Sequence, residues 1–190
     1  MERPVPRKRG RALDRNQVVL AALALVNEEG PEACGVNRVA RDLGIKPPSL
    51  YNHVGGNSDL RMAVAVEGYE QLRASTLRAE KRSSQLETLA HGYRAWAKAN
   101  AGLYRLMSTT SLDPTDREYA PVLERGLKPY TDAMADLGLD DEDAIHGIRT
   151  LRATLHGFIL LELDGQFRLG QDADESFRRC VATMLRGLTS

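Results

Sequence analysis

An all-helical fold is predicted, with a small amino-terminal head leading through a long helix into a larger helical body. Two observations carry this expectation: apolar residues recur at three- and four-residue intervals along most of the chain, and no segment of strand length alternates apolar with polar residues. A third observation places the head, since two very short helical runs flank Gly44.

The elements follow in order. Asp14 is suited to cap a helix whose body, RNQVVLAALALVNEE, carries Val18, Val19, Ala22, Leu23, Leu25 and Val26 at helical spacing and ends before Gly30-Pro31. Val36 to Leu43 gives a second helix, with Val36, Val39, Ala40 and Leu43 on one side and Gly44 as its stop. A third begins near Pro47, where a missing N–H costs little, and Leu50 is its core anchor. After Gly55-Gly56, Asn57 or Ser58 is expected to cap a long fourth helix reaching residue 80. Further helical patterns cover 84–99, 101–108, 117–137, 141–163 and 172–187, separated by TSLDPTD, LGLDDED and GQFRLGQD. The helix at 141–163 is the most apolar of these.

At 190 residues the chain can bury a core without a metal, disulfide or cofactor, and none is expected. Cys34 and Cys180 stand far apart with no metal-ligand spacing, which suits a reducing compartment. No apolar run approaches the ~20 residues of a membrane span, and no hydrophobic segment follows the basic start, so a cytoplasmic location is expected. The formal net charge is zero, yet the first residues are basic and residues 111–175 are predominantly acidic. A polyanion partner is therefore expected at one end only.

The segment VNRVARDLGIKPPSLYNH has the sequence form of a helix-turn-helix. Val36, Val39, Ala40, Ile45 and Leu50 would face the first helix, which leaves Lys46, Ser49, Tyr51, Asn52 and His53 outward. In such a unit the second helix enters the major groove by its N-terminal end. Lys46 and Asn52 have the chemistry to read guanine and adenine edges, and Pro47 and Pro48 stiffen the turn and offer apolar contact to a thymine methyl. Ser49, Tyr51 and His53 suit phosphates, while Arg7, Lys8, Arg9 and Arg11 would neutralise the backbone or enter a minor groove. Each feature has a plainer reading: a solvated basic tail, a helix pair in a protein that never meets DNA, a packed Tyr51, a surface His53 at a helix end.

The order of these parts resembles the TetR/AcrR family of one-component transcriptional regulators. The family pattern is met by V39-A40-R41-D42-L43-G44-I45 and S49-L50-Y51-N52-H53-V54. The resemblance implies phosphate or operator contacts for Ser49, Tyr51 and His53, and variable recognition positions at Lys46, Pro47, Pro48 and Asn52. Where the family usually opens its fourth helix with a lysine in a K-x-x-L pattern, this chain has Asn57, followed by Leu60. That departure removes a phosphate contact. H156-G157-F158, with Trp96 earlier and E162-L163 after, resembles the subgroup with a W-H-G signature in its C-terminal domain.

The resemblance implies a basic arm over 1–13, a helix-turn-helix DNA-binding domain over 14–56, and a helical effector-binding and dimerisation domain over 57–190 that includes the connecting helix 57–80. It implies a homodimer paired through the last two long helices, with Phe177, Cys180, Val181, Met184 and Leu188 as a stripe compatible equally with that interface and with core packing. Candidate lining residues for a largely apolar small-molecule effector are Trp96, Tyr104, Met107, Tyr130, Met134, Leu155, His156 and Phe158, each of which also reads as an ordinary core residue. The expected partners are double-stranded DNA, an effector and a second copy.

An enzyme is not expected: there is no glycine-rich phosphate loop, HExxH or GxSxG, and the acidic run from Asp140 to Asp143 sits at a helix start, where it caps. The alternative class is a helical small-molecule or protein sensor without a specific operator.

Overall fold

The computed structural model describes residues 13–188, apart from the side chain of Asp141. Among them are nine α-helices and no strand: α1 Arg15–Glu29, α2 Val36–Asp42, α3 Pro47–Leu50, α4 Asn57–Leu77, α5 Gln85–Ala99, α6 Ala101–Ser108, α7 Ala120–Ala135, α8 Asp141–Leu163 and α9 Ala173–Leu188. A single 3₁₀ turn, Pro31–Ala33, joins α1 to α2.

Local chemistry sets most boundaries. Asp14 and Gln17 form a reciprocal capping box at α1: the Asp14 carboxylate accepts the Gln17 amide, and the Gln17 side chain accepts the Asp14 amide. Asp140 caps α8 by accepting the amides of Glu142 and Asp143. Gly44 sits at φ +66°, the left-handed conformation that lets the chain turn between α2 and α3.

Several boundaries differ from expectation, chiefly those of α4 and α7, which also ends at Ala135 and not at 137. α4 ends at Leu77, three residues short of the expected 80. α7 begins at Ala120 and not at 117, because Asp113 and Asp116 accept the amides of Thr115 and Glu118 in local turns that compete with helix. The residue preceding α4 is Gly56, without a side-chain cap; Asn57 is the first helical residue and spends its side-chain oxygen elsewhere, on the Val36 amide.

The first three helices close over Val18, Ala22, Val36, Val39, Ala40 and Leu50, all almost fully buried. α4 then runs through the molecule, packing on α1, α5, α6 and α7. The linkage between the two ends is more than this one helix. α6 packs directly on α1, and Gly102 of α6 lies so close to the last turn of α1 that a Cβ there would collide with the Val26 carbonyl oxygen. Arg61 of α4 ties the same junction, donating to the Pro31 carbonyl at 3.0 Å and to Thr109 Oγ1, just past α6, at 3.4 Å. α8 packs on α5, α7 and α9, with Leu151, Leu155, Ile159, Phe177 and Val181 buried between them.

Candidate nucleic-acid interface and effector region

The turn after α2 displays the residues expected to meet DNA. Lys46, Pro48, Ser49, Tyr51 and Asn52 are exposed, Pro47 and His53 are half-buried, and only Leu50 of that stretch is anchored in the core. Regular helix ends at Leu50, so Tyr51, Asn52 and His53 occupy a hydrogen-bonded turn in which the amides of His53 and Val54 both donate to the Leu50 carbonyl. Tyr51, with 57% of its surface exposed, projects its ring away from the core. Arg7, Lys8, Arg9 and Arg11 lie outside the described residues.

A salt bridge absent from the sequence reading holds this turn in place. Arg15, at the start of α1, makes a bidentate pair with Asp59 of α4, both contacts at 2.7 Å, and also donates to the His53 carbonyl at 3.0 Å. Asp59 additionally accepts the Gly55 amide. The Arg15 guanidinium, helped by that amide against the cost of burial, holds the Asp59 carboxyl down to about 2. Asn57 supplies a second clamp by capping α2 through Val36 N at 2.9 Å. A carboxylate 44 residues from its arginine and an asparagine 21 residues from its amide leave no local pattern to read.

The eight expected effector-lining residues do not form one surface. Tyr104 and His156 meet directly, with Tyr104 Oη 2.7 Å from His156 Nδ1, and Tyr93 stands edge-on to the Tyr104 ring at a centroid distance of 5.9 Å. Burial pushes the Tyr93, Tyr104 and Tyr130 phenols up, so all three stay protonated, and burial together with Arg152 pushes the His156 imidazole down. The Tyr104 hydroxyl and His156 Nδ1 share one hydrogen bond, whose direction follows the His156 tautomer. Tyr93 and Arg152 therefore belong to this cluster, although the sequence reading names neither.

The others are placed differently. Met107 fills the space over Gly68 of α4, and Met134 does the same over Gly147 of α8. Trp96 and Leu155 are buried in the common core. Phe158 belongs to a separate aromatic group, packing on Phe167 and Phe177 with Arg94 over the Phe177 ring at 4.7 Å. Arg94 is buried, yet it is charge-matched: it forks onto Glu162 at 2.7 and 2.5 Å and reaches Asp174 at 2.8 Å. In the α9 stripe, Phe177 and Val181 are buried in the chain's own core, whereas Cys180, Met184 and Leu188 are only half-covered.

Among the described residues no His/Cys/Asp/Glu group is arranged to hold a metal ion, and no helix is long and apolar enough to cross a membrane.

Comparison with known proteins places these features. Residues 86–184 match the family described as tetracyclin repressor-like, C-terminal domain. The HTH-type transcriptional regulator Rv0681 of Mycobacterium tuberculosis is 31% identical over 179 residues, 93% of this chain and 82% of that protein. YobS of Bacillus subtilis, also an HTH-type transcriptional regulator, is 31% identical over 180 residues, 93% of each chain. The crystal structure of BioQ with its natural double-stranded DNA operator superimposes with a TM-score of 0.68 at 21% identity, over 94% of this chain and 99% of that one, a likeness of fold. A helix-turn-helix turn held by Gly44, an all-helical body and alignment with two regulators over nearly the whole length lead to one assignment: the chain belongs to the TetR family of HTH-type transcriptional regulators and is not an enzyme.

Proposed function

We propose that this regulator is a cytoplasmic homodimeric repressor that binds a palindromic operator and is released by a small, largely apolar effector. The observation that carries the DNA-binding part is the exposed set Lys46, Ser49, Tyr51 and Asn52 on a turn clamped from behind by Arg15. Clamping matters because base readout demands that side chains meet groove edges in one orientation, and the His53 carbonyl bond fixes the end of that turn. In this reading Lys46 and Asn52 touch base edges, Ser49, Tyr51 and His53 touch phosphates, Pro47 and Pro48 offer apolar contact, and the arm Arg7, Lys8, Arg9 and Arg11 adds charge neutralisation.

One reading head covers a few base pairs, whereas two heads about 34–36 Å apart reach successive major grooves. Support for a second copy comes from α8, where Thr150, Ala153, Gly157 and Leu161 lie on one exposed face and none of the described residues occupies the space beside Gly157. Small residues there would let a partner helix approach closely, alongside the half-covered residues of α9. The effector reading rests on the Tyr104–His156 pair, a polar couple enclosed by aromatic and aliphatic side chains that a ligand hydroxyl or carbonyl can enter by exchange. A ligand that favours one separation of the two heads then shifts the operator-binding equilibrium.

The test is footprinting across the DNA flanking the chain's own gene, followed by selection from random duplexes. Protection of a palindrome, weakened on all sequences by Tyr51→Ala and relaxed at particular positions by Lys46→Ala or Asn52→Ala, supports the reading. Equal affinity of all variants for every duplex overturns it and favours a sensor acting through another protein.

A further inference from the structure

On the outer wall of the body, α5 and the start of α9 enclose a concavity of about 560 Å³, and a second of about 350 Å³ adjoins it toward the end of α4. Arg82, His91 and Ala95 line both, so the two meet at these residues. None of the eight effector candidates lines either one. The 21 residues of α4 separate this wall from the DNA-facing turn by about 30 Å, which removes operator phosphates as its occupant.

The charges around the concavity are unevenly spent. Glu162 is taken by Arg94 and Lys98, Asp174 by Arg94, and Glu175 by Arg178 and Arg179, while Glu80, on the lining of the second concavity, is in no ion pair among the described residues. Arg78 and Arg82 have no carboxylate or hydrogen-bond partner for their guanidinium groups among the described residues. Beside Arg82 stands His91, its ring edge-on to Phe177 at a centroid distance of 5.1 Å. His91 Nε2 is buried and has no hydrogen-bond partner. That ring nitrogen is shut away from water, while the rest of the His91 side chain lines both cavities, with the free Arg82 guanidinium on the same wall.

We propose that the α5–α9 concavity is a binding site for a small organic anion, whose carboxylate pairs with Arg82 and accepts a hydrogen bond from His91. Arginine suits this role because its planar fork matches a carboxylate bidentately. The volume exceeds what an inorganic anion fills, and Ala79, Gly92 and Ala95 give the floor an apolar stretch for a carbon skeleton. The site is independent of operator reading and stands on the geometry of this wall alone.

The imidazole should report the occupant. Burial, Arg82 and Arg94 hold the His91 pKa below its ordinary value, against the opposing pull of Glu87 and Asp174. A bound carboxylate adds a negative neighbour and favours the imidazolium, so affinity should rise as the pH falls from about 8 to about 6.

The experiment is isothermal titration of the full-length protein with citrate, at matched ionic strength in chloride, with inorganic phosphate as a second titrant. Saturable citrate binding is expected, weakened about tenfold or more by Arg82→Gln, an exposed position where folding is not at issue, and by His91→Gln. Binding that grows tighter toward pH 6 in the natural chain and loses that trend in His91→Gln identifies the imidazole as a contact. Phosphate binding as tight as citrate would replace the organic anion by an inorganic one and overturn the assignment of ligand class. Citrate binding unchanged in Arg82→Gln, or no saturable heat at about 10 mM citrate, overturns the site itself.

Discussion

The side-chain oxygen of Asn57, at the first position of α4, accepts the backbone amide of Val36, at the first position of α2, across 2.9 Å. α2 has no side-chain cap of its own because Gly35 precedes it. Asn57 thus supplies a cap from another helix. Asn57→Ala should cost about 1 kcal/mol in urea denaturation. Gly35 is in extended backbone, φ −143°, where serine fits, so Gly35→Ser in the Asn57→Ala background should recover most of the loss.

Arg15 and Asp59 make a second clamp whose loss should be seen in both stability and DNA binding. The pair is part-exposed, at 42% and 26%, so Asp59→Asn should cost about 1 kcal/mol or less at neutral pH. The folded carboxyl is depressed to about 2, below its unfolded value, so the pair's contribution is present above pH ~4 and is lost as pH falls toward 2. Urea titrations at pH 7 and near pH 3 should show the difference between natural chain and variant shrinking with acid. Affinity for all duplexes should fall as well, since Arg15 also holds the His53 carbonyl.

The outline of the head is legible in the sequence because its signals are local: Asp14 caps within three residues, Gly44 turns the chain at one residue, and Val36, Val39 and Ala40 share one helical side. What escapes sequence reading is the pairing of distant residues. Arg94 and Glu162 are 68 positions apart and Tyr104 and His156 are 52 apart, so neither pair exists until α8 packs beside α5 and α6. The effector candidates show the other difficulty. Periodicity marks Met107 and Met134 as inward, but whether an inward methionine lines a cavity or fills the gap over a glycine depends on Gly68 and Gly147, which sit on other helices.

Gly102 and Gly68 should respond differently to alanine. At Gly102 the new methyl meets the Val26 carbonyl and backbone, which cannot move without separating α6 from α1. At Gly68 it meets Met107 Sδ at 2.6 Å, the flexible end of a side chain that can swing aside. Gly102→Ala should destabilise by about 2 kcal/mol or more and Gly68→Ala by less than about 1 kcal/mol, read from chemical denaturation.

His91 and His156 both have pKa values pushed below the ordinary value by burial, so the unfolded chain binds more protons around pH 6 than the folded one. Stability from these two groups is present above about pH 6.5 and is lost as pH falls through that value toward the depressed folded ones. Melting temperature should therefore decline between pH 7.5 and about pH 5, and His156→Gln should flatten part of that decline. Tyr104→Phe, which removes the hydroxyl bonded to Nδ1, should lower stability by about 1 kcal/mol at pH 7.5.

Arg94 and Glu162 present the largest electrostatic stake in the body, since Arg94 is buried and loses its forked partner if Glu162 is removed, whereas the half-covered Glu162 still has Lys98 if Arg94 is removed. Glu162→Leu should cost about 3 kcal/mol or more, because Arg94 then keeps only Asp174 and stays pressed on the Phe177 ring. The double variant Arg94→Leu with Glu162→Leu should be less destabilised than that single one, since no lone charge is left inside and leucine is a reasonable neighbour for Phe158 and Phe177. A double-mutant cycle in urea gives the coupling directly. Additive costs would mean that the ion pair contributes little, and that Arg94 acts chiefly by packing its stem and guanidinium plane on the Phe177 ring.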